Sequence, residues 1–406
     1  MRIVWLFIAV SLGFLRAADA TLDIVKTIES LPKVLVTTTG TDPYLKKIAD
    51  LLVADFKVSG HFNALGANVS QNQAQEAQLV VQLQESQPNV INAKLYNTSS
   101  KEVQNNKDYQ FNTKELYPFI AHKIAIDANN LTKAAPIDWM ARMVVFSKFL
   151  RPGVTSIVVA DYTLTYQQEI IKNNLLNVFP KWANAEQSAI YYTQYLRQPT
   201  IVKYNVRTGA SEVITQSDGM AAVSSVSADG RRLLLSLAPN GQTDIYLYDT
   251  KDKELKQLTS YSGIDVLGNF VQNEKAMVFV SDRSGYPNIY LKKLSLDAPV
   301  EQVVFYSKNN DSVAAFGDYL VYVSREERDA NGQSPFNLHL ISLKSDYVRR
   351  LTASGVNQMP RFSKDGKAVM FLKKAAAQNA LGVILLETNQ SYLFPLENLN
   401  IQSFDW

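Results

Sequence analysis

Side chains able to do acid–base, nucleophilic or metal chemistry are scarce in this 406-residue chain. It has no cysteine, which rules out disulfides, thiolate metal sites and cysteine nucleophiles together. Its three histidines, His61, His122 and His339, lie far apart, in a turn after a helix, in a helix and in a β-rich run. No HExxH, GxSxG or phosphate-loop pattern accompanies them. His339 alternates with Leu338 and Leu340, which puts it on one face of a strand. Asp229, Asp282, Asp318 and Asp365 recur near turns. They could form a carboxylate ring for a metal, but capping of turn backbone is the simpler reading. The chain is therefore not expected to be an enzyme, and no cofactor or metal is expected.

The elements that position these residues divide the chain in three. Residues 1–20 read as an export signal. Arg2 precedes an apolar run over 3–15, and Ala18-Asp19-Ala20 offers small residues for cleavage. An apolar run of about 13 residues is short of the roughly 20 needed to cross a bilayer, so a retained anchor is the weaker reading. With no cysteine to lipidate, the mature protein is expected to be soluble, without a membrane span, and monomeric.

Residues 21–137 alternate strand and helix signals, as a small α/β domain does. Strands are expected over 33–38, 78–84 and 90–96. Asp42 and Pro43 read as the start of a helix whose apolar face is Leu45, Ile48, Leu52 and Phe56, with Gly60 as its stop. Asn112 and Glu115 suggest a capping box for a second helix carrying Leu116, Phe119, Ile120 and Ile124. The glutamine-rich stretch 70–85 reads as a polar loop running into a half-exposed strand.

From residue 138 the pattern turns β-rich and self-similar. Five segments, anchored near Trp182, Val226, Phe270, Phe316 and Phe362 and again near Ile201, Ile245, Ile289, Leu338 and Val383, recur every 44 to 49 residues. Each reads as strand, turn, apolar strand, turn, alternating strand and closing strand. Asp229-Gly230 and Asp365-Gly366 suit two-residue hairpin turns with positive φ at both positions. Such a period marks propeller blades. Residues 142–172 supply three strands of a further blade, and Ile401 to Trp406 looks like its missing innermost strand. The fold class is thus an α/β N-terminal domain plus an all-β six-bladed β-propeller over 138–406, closed by the C-terminal strand.

The net charge is only +3, with no basic run longer than two residues, so no nucleic-acid partner is expected. The segments entering the innermost strands, 216–223, 262–267, 308–313 and 354–359, read as polar loops with a few apolar side chains, a composition suited to a protein interface. Their candidate contact residues are Asp218, Met220, Ile264, Asp265, Val266, Asn310, Asp311, Asn357 and Gln358. The alternative is a propeller enzyme, or a carbohydrate- or metal-binding protein using the central channel. The start of the mature chain carries Leu22, Ile24 and Val25 among charges. It reads either as a strand of the first domain or as a mobile peptide that adds to a partner's sheet edge.

A family resemblance rests on Ser281-Asp282-Arg283-Ser284-Gly285-Tyr286-Pro287-Asn288-Ile289-Tyr290, which is similar to the most recognisable stretch of TolB-type blades. Phe362-Ser363-Lys364-Asp365-Gly366-Lys367 and Val226-Ser227-Ala228-Asp229-Gly230-Arg231 resemble that family's aromatic-Ser-Pro-Asp-Gly-Lys turn, without its proline. The resemblance covers nearly the whole chain. It implies a periplasmic component of the Tol–Pal system that binds the peptidoglycan-associated lipoprotein Pal through one propeller face, with Asn357 the best local match among its contact residues. It also implies contact with TolA through the mature N-terminus (Leu22, Ile24, Val25) or the first domain. The role implied is in outer-membrane integrity and envelope constriction at division.

Overall fold

The computed structural model describes residues 31–40, 42–66, 68–132, 134–328, 334–375 and 378–406. The expected signal and the contact residues Leu22, Ile24 and Val25 lie outside them. Among the described residues no helix is long and apolar enough to cross a membrane.

The N-terminal part is a five-stranded sheet carrying two long helices. Its elements are β1 (Lys33–Thr39), α1 (Pro43–Ser59), β2 (Asn63–Leu65), α2 (Gln71–Gln75), β3 (Leu79–Gln87), β4 (Val90–Asn97), β5 (Val103–Gln110) and α3 (Tyr117–Asn130). The strands lie in the order β2-β1-β3-β4-β5; β1 runs parallel to β2 and β3, and the rest pair antiparallel. The apolar stripe Leu45, Ile48, Leu52 and Phe56 of α1 is buried against the sheet and α3.

Helix α1 starts and stops where its sequence says. Asp42 Oδ1 accepts the Tyr44 amide at 2.7 Å, and Gly60 turns left-handed (φ 71°) to close the helix on the Lys57 carbonyl. The Tyr44 amide and the Lys114 ammonium, 2.9 Å from Oδ2, hold the Asp42 carboxyl below its ordinary value. Asp42→Ala should therefore cost about 1 kcal/mol at neutral pH. A carboxyl with a depressed pKa stabilises above its unfolded value near 3.8 and loses that contribution as pH falls through the folded value. The gap between variant and parent in urea titrations should narrow below about pH 3.8, to what a neutral carboxyl oxygen accepting the Tyr44 amide still contributes; a gap that does not narrow would contradict this.

Two local expectations are corrected. Asn112 and Glu115 form no capping box: residues 114–116 make a 3-10 turn, and α3 begins at Tyr117 without a side-chain cap. Pro118 lies in its first turn, where φ is preset and one amide fewer needs a partner. The capping box lies instead in the glutamine-rich stretch, where Ser70 and Gln73 cap α2 reciprocally. The polar edge strand β5 has no apolar alternation to announce it.

The remaining strands form six four-stranded blades. The first holds β6 (Val144–Arg151), β7 (Val154–Ala160) and β8 (Gln167–Ile171). The second is β9 (Leu176–Trp182), β10 (Ala189–Tyr195), β11 (Pro199–Asn205) and β12 (Ser211–Gln216). The third is β13 (Ala221–Val226), β14 (Arg232–Leu237), β15 (Asp244–Asp249) and β16 (Leu255–Gln257). The fourth is β17 (Asp265–Val271), β18 (Ala276–Ser281), β19 (Asn288–Lys293) and β20 (Val300–Gln302). The fifth is β21 (Lys308–Phe316), β22 (Tyr319–Arg325), β23 (Phe336–Ser342) and β24 (Ser345–Arg350). The sixth is β25 (Val356–Phe362), β26 (Ala368–Lys374), β27 (Ala380–Leu385) and β28 (Ser391–Pro395).

The last strand, β29 (Ile401–Asp405), pairs antiparallel with β6 and completes the first blade, in the order β29-β6-β7-β8. The inner strands touch in a closed circle: β9 with β13, then β17, β21, β25, β29 and back to β9. The ring closure expected from the sequence is therefore present. Each inner strand also carries a bulge, and in four of them a non-glycine residue turns left-handed: Phe179, Leu267, Ser312 and Met359. Bulges of this kind tighten the local twist and re-aim side chains.

The Asp-Gly turns differ from expectation in one respect. Only the glycine has positive φ (Gly230 72°, Gly366 69°), so each is a longer loop rather than a two-residue one. In both, serine's carbonyl accepts the glycine amide at 2.9 Å and its amide closes the loop at 2.8 Å, to Arg232 or Ala368. The aspartate caps the loop from inside, accepting from Ser227 and the Arg231 amide, or from Ser363 and the Lys367 amide. Asp282 holds the Ile264 amide and Asp318 pairs with Lys344. All four turn aspartates are thus engaged locally.

Candidate docking face

The segments that lead into the inner strands open on one end of the propeller. The structure splits the nine candidate contact residues there into two groups. Asp218 and Ile264 are exposed, Ile264 at 53%, and Met220, Val266, Asp311 and Gln358 are half-buried. Asp265, Asn310 and Asn357 are 0% exposed. They are not loop residues, because β17, β21 and β25 begin at or before them. The expectation of polar loops over 308–313 and 356–359 is corrected accordingly.

The buried three fasten one blade to the next. Asn310 Nδ2 donates to Asn288 Oδ1 at 3.1 Å, from the fifth blade to the fourth. Asn357 Nδ2 donates to the Phe336 carbonyl at 2.9 Å and to Asn337 Oδ1 at 3.3 Å, from the sixth blade to the fifth. Asp265 reaches the third blade through its amide, which donates to the Thr243 carbonyl at 3.1 Å, and its carboxylate lies beside Asp244, whose carboxyl is pushed up by burial and by that neighbouring charge. Buried polar groups need partners, and the Asn310 and Asn357 amide nitrogens and the Asp265 backbone amide find theirs at seams that apolar packing alone would leave free to slide.

Asp265 is neutralised by Arg283, whose Nη2 lies 2.9 and 3.1 Å from its two oxygens. The guanidinium also lies 5.1 Å from Tyr261, 5.3 Å from Phe279 and 5.1 Å from Tyr290, within cation–π range of all three rings. Its Nε donates to Ser281 at 2.8 Å. The segment 281–290 therefore builds a platform under the loop that ends in exposed Ile264. That loop has no slack: a Cβ on Gly263 would lie 2.2 Å from Asp282 Oδ1. Asp311 has its carboxyl raised by burial, which the Ser312 hydrogen bond opposes.

Two side chains that sequence reasoning passed over are the most exposed large apolar groups described. Phe305 is 73% and Tyr306 69% exposed, in the segment joining β20 to β21. They border a groove of about 490 Å³ that also touches Leu291, Val304, Tyr322 and Val348. The available signal was an aromatic pair lying outside the strand alternation. Of the histidines, His61 meets Asn129, His339 stacks on Tyr322 beside Glu326, and His122 is buried away from this face. Among the described residues no group of three or more His, Asp or Glu side chains is arranged to hold a metal ion.

The architecture defines a class: a six-bladed β-propeller with an N-terminal α/β domain, its ring sealed by the C-terminal strand. Residues 143–406 match the TolB beta propeller domain. Over the full length of both chains the protein is 49% identical to the Tol-Pal system protein TolB of Helicobacter pylori (strain HPAG1). It is 47% identical to that of Wolinella succinogenes and 41% to that of Campylobacter jejuni (strain RM1221), again over all of both chains. The crystal structure of TolB from Acinetobacter baumannii superposes with a TM-score of 0.77 at 21% identity, covering 93% of this chain and 97% of that one. The chain belongs to the TolB family of Tol–Pal system proteins.

Proposed function

We propose that this protein is a periplasmic, non-catalytic scaffold, divided near residue 137, that docks Pal on the propeller face described above and engages TolA through its mature N-terminus. Its role is then to couple outer-membrane integrity to envelope constriction at division. The observation that carries the Pal assignment is the pairing of exposed apolar groups, Ile264, Phe305 and Tyr306, with a rigid buried seam beneath them. A few apolar anchors in a polar surround, held by preorganised backbone, are what a protein partner requires. Asp218, Met220, Val266, Asp311 and Gln358 supply the surround, whereas Asp265, Asn310 and Asn357 act by positioning it.

The test is capture from envelope extract after mild crosslinking. Ile264→Asp combined with Phe305→Asp should lower Pal recovery about tenfold or more while leaving thermal unfolding unchanged. Val213→Asp, at a 62%-exposed position of outer strand β12, should do neither. Deletion of residues 21–29 should abolish TolA recovery and spare Pal. Equal Pal recovery by the double variant and the parent would refute the assignment of this face.

A further inference from the structure

Away from the docking face, one group of titratable side chains is wholly buried where the α/β domain meets the first blade. Asp55 on α1, His122 on α3, Asp161 after β7 and Tyr162 next to it are each 0% exposed. His122 Nδ1 lies 2.8 Å from Asp55 Oδ2, and Nε2 lies 3.3 Å from Asp161 Oδ2. One carboxylate thus comes from each side of the junction, and each faces a different ring nitrogen. Tyr162 crosses the same junction, donating its hydroxyl to Asp55 Oδ1 at 2.5 Å.

Both nitrogens can donate at once only if the ring carries its second proton. A neutral imidazole would turn a lone pair toward one of two buried carboxylates, which would then face each other without a countercharge. Burial opposes the imidazolium, but Asp55 and Asp161 outweigh it and hold the His122 pKa up at about 9. Burial likewise opposes the Asp161 charge, yet His122, Thr163 and the Tyr166 amide keep its carboxyl below the ordinary value. The remaining titratable neighbours are phenols: Tyr162 at 4.8 Å from the imidazole ring, Tyr117 toward Asp161, and Tyr392 toward Tyr162.

The apolar cluster shared by the α/β domain and the first and sixth blades already supplies adhesion. Adhesion of that kind has no direction, whereas an imidazolium between two carboxylates fits one arrangement. Asp161 is itself fixed by the blade, accepting the Thr163 amide at 2.9 Å and the Tyr166 amide at 2.6 Å. Tyr162 continues edge-on into Trp139 and Phe394, and Trp139 into Trp406, the residue after the ring-closing strand. We propose that Asp55, His122 and Asp161 form an ionic latch that fixes the α/β domain in one orientation on the first blade, closed while His122 is protonated and released when it is not.

A histidine whose pKa is raised on folding contributes fully below its unfolded value near 6.5 and loses that contribution as pH rises to the folded value near 9. Relative to His122→Gln, the parent's folding equilibrium constant should therefore fall about tenfold per pH unit across that window and level off above it. At pH 7, amide exchange in α3 and in the 161–166 turn should speed up about tenfold or more in the variant, with the fourth blade unchanged. Of the three histidine ring signals in NMR, one should titrate near 9 and vanish in His122→Gln. Should that variant not fold, Asp161→Asn keeps the Asp55 pair and should show the same local exchange with a lowered histidine pKa. Identical pH profiles for parent and variant, a His122 titrating at or below 6.5, or acceleration spread evenly over all blades would each overturn the latch.

Discussion

A chain truncated after Asn400 is expected to lose cooperative folding altogether, although only six of its 406 residues are gone. The loss removes the inner strand of the first blade, and β6 is left with an unpaired edge along Val145 to Lys148. It removes Phe404, which is 0% exposed, a loss of about 3–5 kcal/mol by analogy with large-to-small core changes. It also removes Asp405, which ties the last strand to the blades on either side. Its Oδ1 lies 2.9 Å from Lys181 Nζ on β9 and 3.3 Å from Arg361 Nε on β25, and its Oδ2 accepts the Trp182 amide at 2.9 Å. Without that carboxylate, two largely buried cations face each other with no counterion. The single change Asp405→Ala should therefore cost about 3–5 kcal/mol in urea unfolding, and Asp405→Asn, which keeps an acceptor for the Trp182 amide, somewhat less. Whole domains have only about 5–15 kcal/mol to lose, so the truncation removes most of it. A truncated chain that melts within a few degrees of the parent would show that the ring does not depend on this strand.

Asp265→Ala is expected to do comparable damage at the docking face, about 3–5 kcal/mol, by leaving the Arg283 guanidinium without its carboxylate. The aromatic rings around Arg283 favour the cation but cannot accept two hydrogen bonds from it. A double-mutant cycle with Arg283→Met should recover a large share of the loss, because the pair then goes together. Asp265→Asn should also let the neighbouring Asp244 carboxyl fall toward its ordinary value, since one of the two causes that raise it is gone. Pal capture by Asp265→Ala should fall together with stability, whereas capture by the Ile264 and Phe305 variants falls alone. Undiminished stability in Asp265→Ala would return this residue to the role of an exposed contact.

These results bear on what could be read in advance. Helix α1 was legible from Asp42, Pro43, its apolar stripe and Gly60, because capping and periodicity are local physics. The blades were legible from spacing, since every blade needs an apolar second strand and a tight turn before it. The contact residues were less so. Asp265, Asn310 and Asn357 look like loop residues in a string of letters, and polar types at strand ends usually face water. Here Asn310 and Asn357 find partners on a neighbouring blade, 22 and 21 residues away, while Asp265 finds Arg283 18 residues on within its own blade, and all three are buried. The aromatic pair Phe305 and Tyr306 is marked in the sequence only by lying outside the strand alternation, and its exposure is decided by the tertiary structure.

The same division holds for the latch and the closure. Sequence alone determined that the chain makes an α/β domain and six blades, and that the last strand belongs with the first blade, because the repeat leaves one blade short of one strand. It also determined that cysteine chemistry is absent. Tertiary structure decided which polar groups meet: His122 with Asp55 and Asp161 at 67 and 39 residues' separation, and Asp405 with Lys181 at 224. Burial is what gives those meetings their weight. A carboxylate and a cation in water gain little from each other, and the same pair enclosed by packed blades governs orientation and closure.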